Sequence, residues 1–257
     1  AVGTSALDAQ TTGGPNVAYG SQALGALTTG ADNVAIGYTA GNSITTGEQN
    51  ILIGKAAGDA ITTAHYNTAV GHDALGAATG NYNTAVGRLA GYQITSGVNN
   101  LMIGRESGTS SSPGGAVITS DNQICMGNNN NTYAGIKISW TVTSDERDKA
   151  DITDFTAGLS WVNKLRPVTY KWDMRSDYED GKTPDGTHKK NQLNLGLLAQ
   201  EELAIEKEHG YGGSRETMLI TDEDPHGNYG MKYERLVPVL VNAIKELSVK
   251  VTALEGG

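Results

Sequence analysis

The sequence predicts a β-solenoid or β-roll over its first half and an α+β domain ending in a helix over its second half. The composition divides the chain. Residues 1–143 hold 23 of the 34 glycines but only 4 basic and 7 acidic residues, whereas residues 144–257 hold 15 basic and 21 acidic residues in amphipathic stretches. The first half also repeats itself with a fixed period, which is typical of solenoids. We therefore predict a domain boundary between residues 143 and 144.

The repeat unit begins with an Asn, followed by three residues and a Gly, and covers residues 14–108. A small residue follows three positions after each Gly, and a tight turn ends the unit. Residues 123–127 resemble a decayed copy, and residues 109–143 are otherwise predicted to be a connecting segment. The spacings between the repeated asparagines are 17, 17, 17, 16 and 17 residues, for Asn16, Asn33, Asn50, Asn67, Asn83 and Asn100.

The residues between each Asn and Gly predict a short strand. Alternation places Val34 and Ile36 on one face and Ala35 on the other. The repeated Gly and Asn positions are predicted to be corners with positive φ, where other residues meet a steric cost. Because one rung of 17 residues cannot bury its own apolar face, the rungs are expected to stack into a continuous core.

The composition also excludes several classes of function. The net charge of −9 argues against nucleic acid and anionic lipid as partners, and no apolar run is long enough to insert into a membrane. A single cysteine, Cys125, excludes intrachain disulfides and a Cys-based zinc site. We expect no metal and no cofactor, because there is no P-loop, no dinucleotide fingerprint and no metal-like spacing of histidines.

The start of the chain lacks a signal peptide and an initiator Met, so we expect a fragment of a longer protein. The histidines are predicted to lie at the surface: His65, His72, His188, His209 and His226.

The second half predicts a helix over residues 157–165, capped by Thr156, and a strand through residues 168–172. The remaining predictions are an exposed segment over 173–192, a strand over 193–199, a helix over 200–209 and a solvated acidic loop over 221–226.

Residues 233–255 carry a heptad pattern that predicts a coiled coil. The pattern is as compatible with two strands as with three, and a single amphipathic helix packed on its own domain is the alternative. The two core positions are occupied by Val237, Ile244 and Val251 and by Leu240, Leu247 and Leu254.

Both halves resemble parts of known families. Segments such as Asn67-Thr-Ala-Val-Gly71 are similar to the head repeats of trimeric adhesins and to the shaft or tip repeats of bacteriophage tail fibres. The second half resembles the intramolecular chaperone auto-processing domain at the C-terminus of tail fibres, tailspikes and endosialidases, found also in a membrane-bound animal transcription factor. This resemblance rests on four motifs in order: Ser-Asp-Glu-Arg-Asp-Lys149, Leu165-Arg-Pro-Val-Thr-Tyr-Lys-Trp172, Leu195-Gly-Leu-Leu-Ala-Gln-Glu201 and Tyr233-Glu-Arg-Leu-Val-Pro-Val-Leu-Val-Asn-Ala-Ile-Lys-Glu-Leu247.

The resemblance implies that the chain cuts its own Thr143–Ser144 bond. Ser144 would be the nucleophile and Lys149 the base of a Ser-Lys dyad that acts once in cis, while the role of Asp145 stays open. A serine followed five residues later by lysine is common by chance, so its weight comes from the downstream motifs and from the change in composition. A lysine acts as a base only when neutral, and an exposed lysine titrates near pH 10.4, so partial burial of Lys149 is expected.

The implied architecture is a trimeric β-solenoid or β-roll fibre followed by an α+β chaperone domain. The chaperone would align a homotrimer and then leave, and the fibre would attach to a host-surface receptor, expected to be a glycan. The fibre would belong to a virion, with the released chaperone in the host cytoplasm. A bacterial trimeric adhesin or another structural trimer without self-cleavage is the alternative, and a glycan-degrading fibre ranks third. The candidate sugar-stacking residues are Tyr38, Tyr66, Tyr82 and Tyr92.

Overall fold

The structure is a computed structural model that describes residues 1–113, 115–137, 139, 141–178, 183–224 and 227–256. By its internal contacts the chain divides into two compact units. One unit comprises Ala1–Tyr133 with Met174–Thr183, and the other comprises Ala134–Asp173 with Pro184–Gly257.

The first unit is a parallel β-solenoid, in agreement with the repeat. Each strand pairs in parallel with the next one in the chain, so that equivalent residues of successive units lie side by side. The seven strands are β1 Val17–Tyr19, β2 Val34–Ile36, β3 Ile51–Ile53, β4 Thr68–Val70, β5 Thr84–Val86, β6 Leu101–Ile103 and β7 Ile124–Met126.

The middle residue of each strand faces the solenoid interior. Ala35 and Leu52 are fully buried, whereas Ile36 and Ile51 beside them are exposed. The predicted alternation is therefore present, and the apolar flanking side chains point outward from the single chain. This leaves a ribbon of Val and Ile side chains on the outside of the solenoid.

The repeated asparagines form a buried hydrogen-bonded ladder inside the solenoid. The Asn50 Nδ2 group donates to Oδ1 of Asn33 (3.0 Å) and to the carbonyl of Ala64 (2.9 Å). The Asn50 Oδ1 atom in turn accepts from the backbone N–H of Asn67 at 3.0 Å. The ladder links each rung to both neighbours, so the amide is needed at every step.

The prediction that these asparagines have positive φ is wrong. The residue before the Asn adopts that conformation instead, as at Asp32 (φ 58°), Gln49 (φ 55°) and Tyr66 (φ 62°). The repeated Gly does have a positive φ. Gly54 has φ +134°, and a Cβ atom there would lie 2.5 Å from the carbonyl oxygen of Gly71 in the next rung.

The solenoid extends beyond residues 14–108 at both ends. Val2 forms a parallel bridge with Tyr19, and the Gln22 N–H donates to the carbonyl of Thr4 at 2.8 Å, so a further rung precedes the first recognised copy. The decayed copy at residues 123–127 is confirmed, because β7 pairs with β6 in the same register as the other strands.

We expect Asn50→Ala to destabilise the solenoid strongly. The substitution leaves the buried Ala64 carbonyl and the Asn67 N–H without their partners, at a cost of about 2 kcal/mol or more. Chemical denaturation followed by circular dichroism measures this loss. Asn42→Ala is the matched control, because Asn42 is half-buried and lies outside the ladder. Equal loss of stability in the two variants would contradict a specific role for the ladder.

Within its described residues, the second unit contains two small antiparallel sheets and three α-helices. Strand β8 Val168–Tyr170 pairs with β9 Asn194–Gly196, and β10 Thr221–Glu223 pairs with β11 Tyr229–Met231. The helices are α1 Leu159–Val162, α2 Ala199–Glu208 and α3 Leu236–Glu255, and short 3-10 helices lie at Glu146–Asp148, Arg215–Thr217 and Tyr233–Arg235. The further 3-10 helix Arg175–Asp177 belongs to the first unit.

Several predictions for the second unit need correction. Helix α1 is one turn long and begins after Gly158, with no side-chain cap, so Thr156 does not cap it. The predicted strand over 193–199 is present but shorter, and so is the strand over 168–172, which ends before the exposed Trp172. The predicted solvated loop over 221–226 begins instead as the strand Thr221–Glu223, in which Thr221 is buried. Pro225 and His226 lie outside the described residues.

The segment 173–192 is only partly as predicted. Its residues 183–192 are exposed, whereas Asp177, the last residue of the 3-10 helix Arg175–Asp177, and Tyr178 after it are half-buried. Residues 179–182 of this prediction lie outside the described part of the chain.

Candidate active site

Ser144 and Lys149 lie side by side at the start of the second unit. The Lys149 Nζ group donates a hydrogen bond to Ser144 Oγ at 2.7 Å. The turn between them is the 3-10 helix Glu146–Asp148, in which the Lys149 N–H donates to the carbonyl of Glu146 at 3.1 Å. This single turn explains why a spacing of five residues brings the two side chains together.

Asp145 caps the 3-10 helix that separates the dyad. Its Oδ1 atom accepts from the backbone N–H and from Nε of Arg147, both at 3.0 Å, and its Oδ2 atom accepts from the guanidinium at 2.6 Å. The pKa of Asp145 lies below its usual value, mainly because of the hydrogen bonds from the Arg147 side chain and secondly because of the bond from the Arg147 backbone. Asp145 and Arg147 therefore stabilise the turn that separates Ser144 from Lys149.

Lys149 is exposed in the single chain, contrary to the expected partial burial. Thr143 and Ser144 are exposed as well. The geometry of a nucleophile beside a base is therefore present, but nothing within the described chain shields the lysine from water.

A second polar cluster, which the sequence reasoning missed, lies around Trp161 in the core of this unit. The fully buried Trp161 donates through Nε1 to Oε1 of Glu202 at 2.7 Å. Burial raises the pKa of the Glu202 carboxyl, whose Oε2 atom is buried without a hydrogen-bond partner. In the sequence, Glu202 looks like any solvated residue of an amphipathic helix, so no local signal marks it.

Glu206, one turn further along α2, is fully buried and accepts three backbone hydrogen bonds. Its donors are the N–H groups of Leu219 (2.9 Å), Ile220 (2.8 Å) and Thr221 (2.6 Å). The carboxylate therefore joins α2 to the beginning of β10. This contact is structural and leaves no free group for catalysis.

His209, predicted to lie at the surface, is half-buried. Its ring stacks on Trp161 with centroids 4.6 Å apart, and Nδ1 lies 2.9 Å from the carbonyl of Ile205. Of the other histidines, His65 and His72 are half-buried, and His188 is exposed. Within the described ranges, no group of three or more His, Cys, Asp or Glu side chains is placed to hold a metal ion.

Helix α3 has two apolar faces. Leu236, Val239 and Ala243 are buried within the unit, and Asn242 Nδ2 donates to the carbonyl of Phe155 at 2.6 Å. The six heptad residues lie on another face and are all exposed: Val237, Leu240, Ile244, Leu247, Val251 and Leu254. The alternative of a helix packed on its own domain thus accounts for the first face and leaves the heptad face uncovered.

The four tyrosines suggested for sugar stacking are all exposed on the solenoid. Tyr66 and Tyr82 stack on each other, with centroids 4.9 Å apart and planes 4° from parallel. Tyr38 and Tyr92 lie at other positions of the repeat, so the four rings do not form one platform. Among the described helices, none combines the length and the apolar character needed to cross a membrane.

Part of the second unit matches a known protein family. Residues 144–211 match the Peptidase_S74 family, described as the chaperone of endosialidase, a self-cleaving chaperone domain. No curated protein and no solved structure matches the chain. The matched segment begins at Ser144 and contains Lys149, so this part of the chain is similar to the chaperone domain of that family.

Proposed function

We propose that this chain is the C-terminal part of a phage tail fibre whose second unit is an intramolecular chaperone. The chaperone assembles three chains, aligns their solenoids and is then released by cleavage of the Thr143–Ser144 bond. The hydrogen bond between Lys149 Nζ and Ser144 Oγ carries this proposal, together with the family match that begins at Ser144.

The proposed cleavage needs no separate substrate, because the nucleophile and the scissile bond share one residue. Neutral Lys149 takes the proton of Ser144 Oγ, which attacks the carbonyl carbon of Thr143. The C–N bond breaks, the proton passes to the amine of Ser144, and an ester joins the two parts. Water then hydrolyses the ester, which leaves a carboxylate on Thr143 and restores the hydroxyl of Ser144.

Repetition in the solenoid supports the need for an alignment step. The strands share one register and a similar pattern of Asn, Gly and apolar residues, so three chains could pair one rung out of step at little cost. Long-range pairing of this kind is slow and exposes apolar surface. A module that brings three chains together at one point sets the register before the rungs pack. Its removal then leaves a fibre protected by a high barrier to unfolding.

Assembly through α3 is supported by its exposed heptad face. We expect Ile244→Asp to prevent trimer formation, because it places a charge on that face, where a coiled coil would bury it. Val249→Asp is the matched control. Val249 lies off the heptad face and is 70% exposed, close to the 67% of Ile244. Light scattering after size exclusion measures the mass, and a trimeric Ile244→Asp protein would contradict assembly through this face.

The alternative is a bacterial trimeric adhesin or another structural trimer without self-cleavage. Mass spectrometry of the purified protein separates the two proposals, since only the first yields residues 1–143 and 144–257 as separate chains. In the first proposal, the mature fibre belongs to the virion and binds a glycan receptor on the host surface, while the released chaperone stays in the host cytoplasm.

A further inference from the structure

The basic residues of the solenoid occupy one position of the repeat. Residues 1–143 contain four Lys and Arg residues, and three of them, Lys55, Arg88 and Arg105, directly follow the repeated Gly. His72 occupies the same position in the rung between Lys55 and Arg88, and Tyr38 occupies it in the rung before Lys55. We call these five residues the basic row.

Hydrogen bonds between rungs show that the basic row is continuous. The carbonyl of Lys55 accepts from the N–H of Asp73 at 3.0 Å, and the carbonyl of Arg88 accepts from the N–H of Glu106 at 2.9 Å. In each bond, the acceptor is a residue of the row, and the donor is the residue directly after the row residue of the next rung. Because neighbouring strands are about 4.8 Å apart, the row spans about 19 Å from Tyr38 to Arg105.

The cations of the row project further into solvent than the carboxylates beside them. Glu106 is 17% exposed and accepts from both Arg88 (3.4 Å) and Arg105 (2.8 Å), which are 54% and 62% exposed. This carboxylate orients two guanidinium groups and leaves their remaining N–H donors facing water. The Nδ1 atom of His72 lies 2.9 Å from a carboxylate oxygen of Asp73, and the ammonium of Lys55 is exposed with no carboxylate partner among the described residues.

The shape of the row favours a single extended anionic chain as its ligand. It is one side chain wide, and its successive residues lie about 4.8 Å apart in a line. Tyr38 adds an exposed aromatic ring at one end, which suits the apolar face of a sugar.

We infer that the basic row binds an acidic polysaccharide, through its carboxylate, sulfate or phosphate groups. This inference rests on the proposed attachment of the fibre to a host surface and names the chemistry of the receptor. Arg88 and Arg105 bind the acidic groups, Lys55 binds a further one, and Tyr38 contacts a sugar ring.

Binding of the protein to immobilised polysaccharides tests the inference. The probes are hyaluronate for carboxylate, heparin for sulfate, a teichoic acid for phosphate, dextran as a neutral glycan and single-stranded oligo-dT. We expect binding to at least one acidic polysaccharide, weaker binding as salt is added, and none to dextran. Combined Lys55→Gln, Arg88→Gln and Arg105→Gln substitutions should reduce the affinity by about tenfold or more. Circular dichroism checks that this variant is folded.

Lys137→Gln is the matched control for Lys55→Gln, because it removes the same charge from the one other basic residue of residues 1–143. Retained binding in the triple variant, equal loss in the two single variants, equal binding to dextran, or absence of binding to every acidic glycan would overturn the inference. Tighter binding to oligo-dT would overturn it in favour of a nucleic acid.

The same preparations are checked for cleavage and trimer mass. A cleaved trimer that binds no acidic glycan refutes only this inference, whereas an uncut monomer refutes the proposed function.

Discussion

Ser144→Ala and Lys149→Ala should each abolish self-cleavage and leave one chain of 26.9 kDa on a denaturing gel. The first substitution removes the attacking oxygen, and the second removes the base that lies 2.7 Å from it. Residues that act as one unit lose nearly all activity when either is removed. The wild-type chain should give two bands, corresponding to residues 1–143 and 144–257.

Ser139→Ala and Lys137→Ala are the matched controls for this experiment. Both residues are exposed and lie shortly before the scissile bond, so each variant should be cleaved like the wild type. The uncut variants should still form trimers, because the exposed face of α3 is unchanged. Two bands from Ser144→Ala would remove Ser144 from the mechanism, and an uncut monomer would indicate misfolding instead.

A chain that ends at Thr143 should accumulate mainly as insoluble protein when it is synthesised without the second unit. Most of the flanking Val and Ile side chains of the strands are exposed on the single solenoid, among them Ile36, Ile51 and Ile124. Without a module to align the chains, slow pairing leaves these apolar ribbons free to aggregate. The soluble fraction after expression, measured on a gel, tests this expectation.

The sharpest control is the same polypeptide made by a different route. Residues 1–143 released by cleavage of the full chain should stay soluble and trimeric, because a high unfolding barrier protects the assembled fibre. The two samples have one sequence and differ only in their folding history. Soluble trimer from the truncated chain would show that the second unit is dispensable.

Much of the fold was predictable, because the solenoid is a consequence of local repetition. A unit of Asn, three residues and Gly that recurs about every 17 residues places equivalent residues in register. Alternation along each strand then places Ala35 on one face and Ile36 on the other. The decayed copy at residues 123–127 followed from the same pattern. The first rung escaped detection because the offset of 17 residues between Val2 and Tyr19 places its Asn position before residue 1, and only contacts such as the hydrogen bond from Gln22 to Thr4 reveal it.

The candidate site was predictable only in part. Ser144 and Lys149 were identified through the family resemblance, and one turn of 3-10 helix brings them together as that resemblance implies. The exposure of Lys149 was not foreseen, because burial depends on what covers a residue in three dimensions. The same reason explains Glu202 and His209, whose neighbours in the chain give no sign of the buried Trp161 between them.

The period of the repeat and the residues of the heptad follow from the sequence alone, because each depends on spacing along the chain. The tertiary structure decided which of these residues face inward. It turned the repeated asparagines into an interior ladder, left the heptad face of α3 uncovered and lined up Lys55, Arg88 and Arg105 on one edge. Those outcomes depend on neighbours from distant parts of the chain, and only the packed backbone brings such neighbours together.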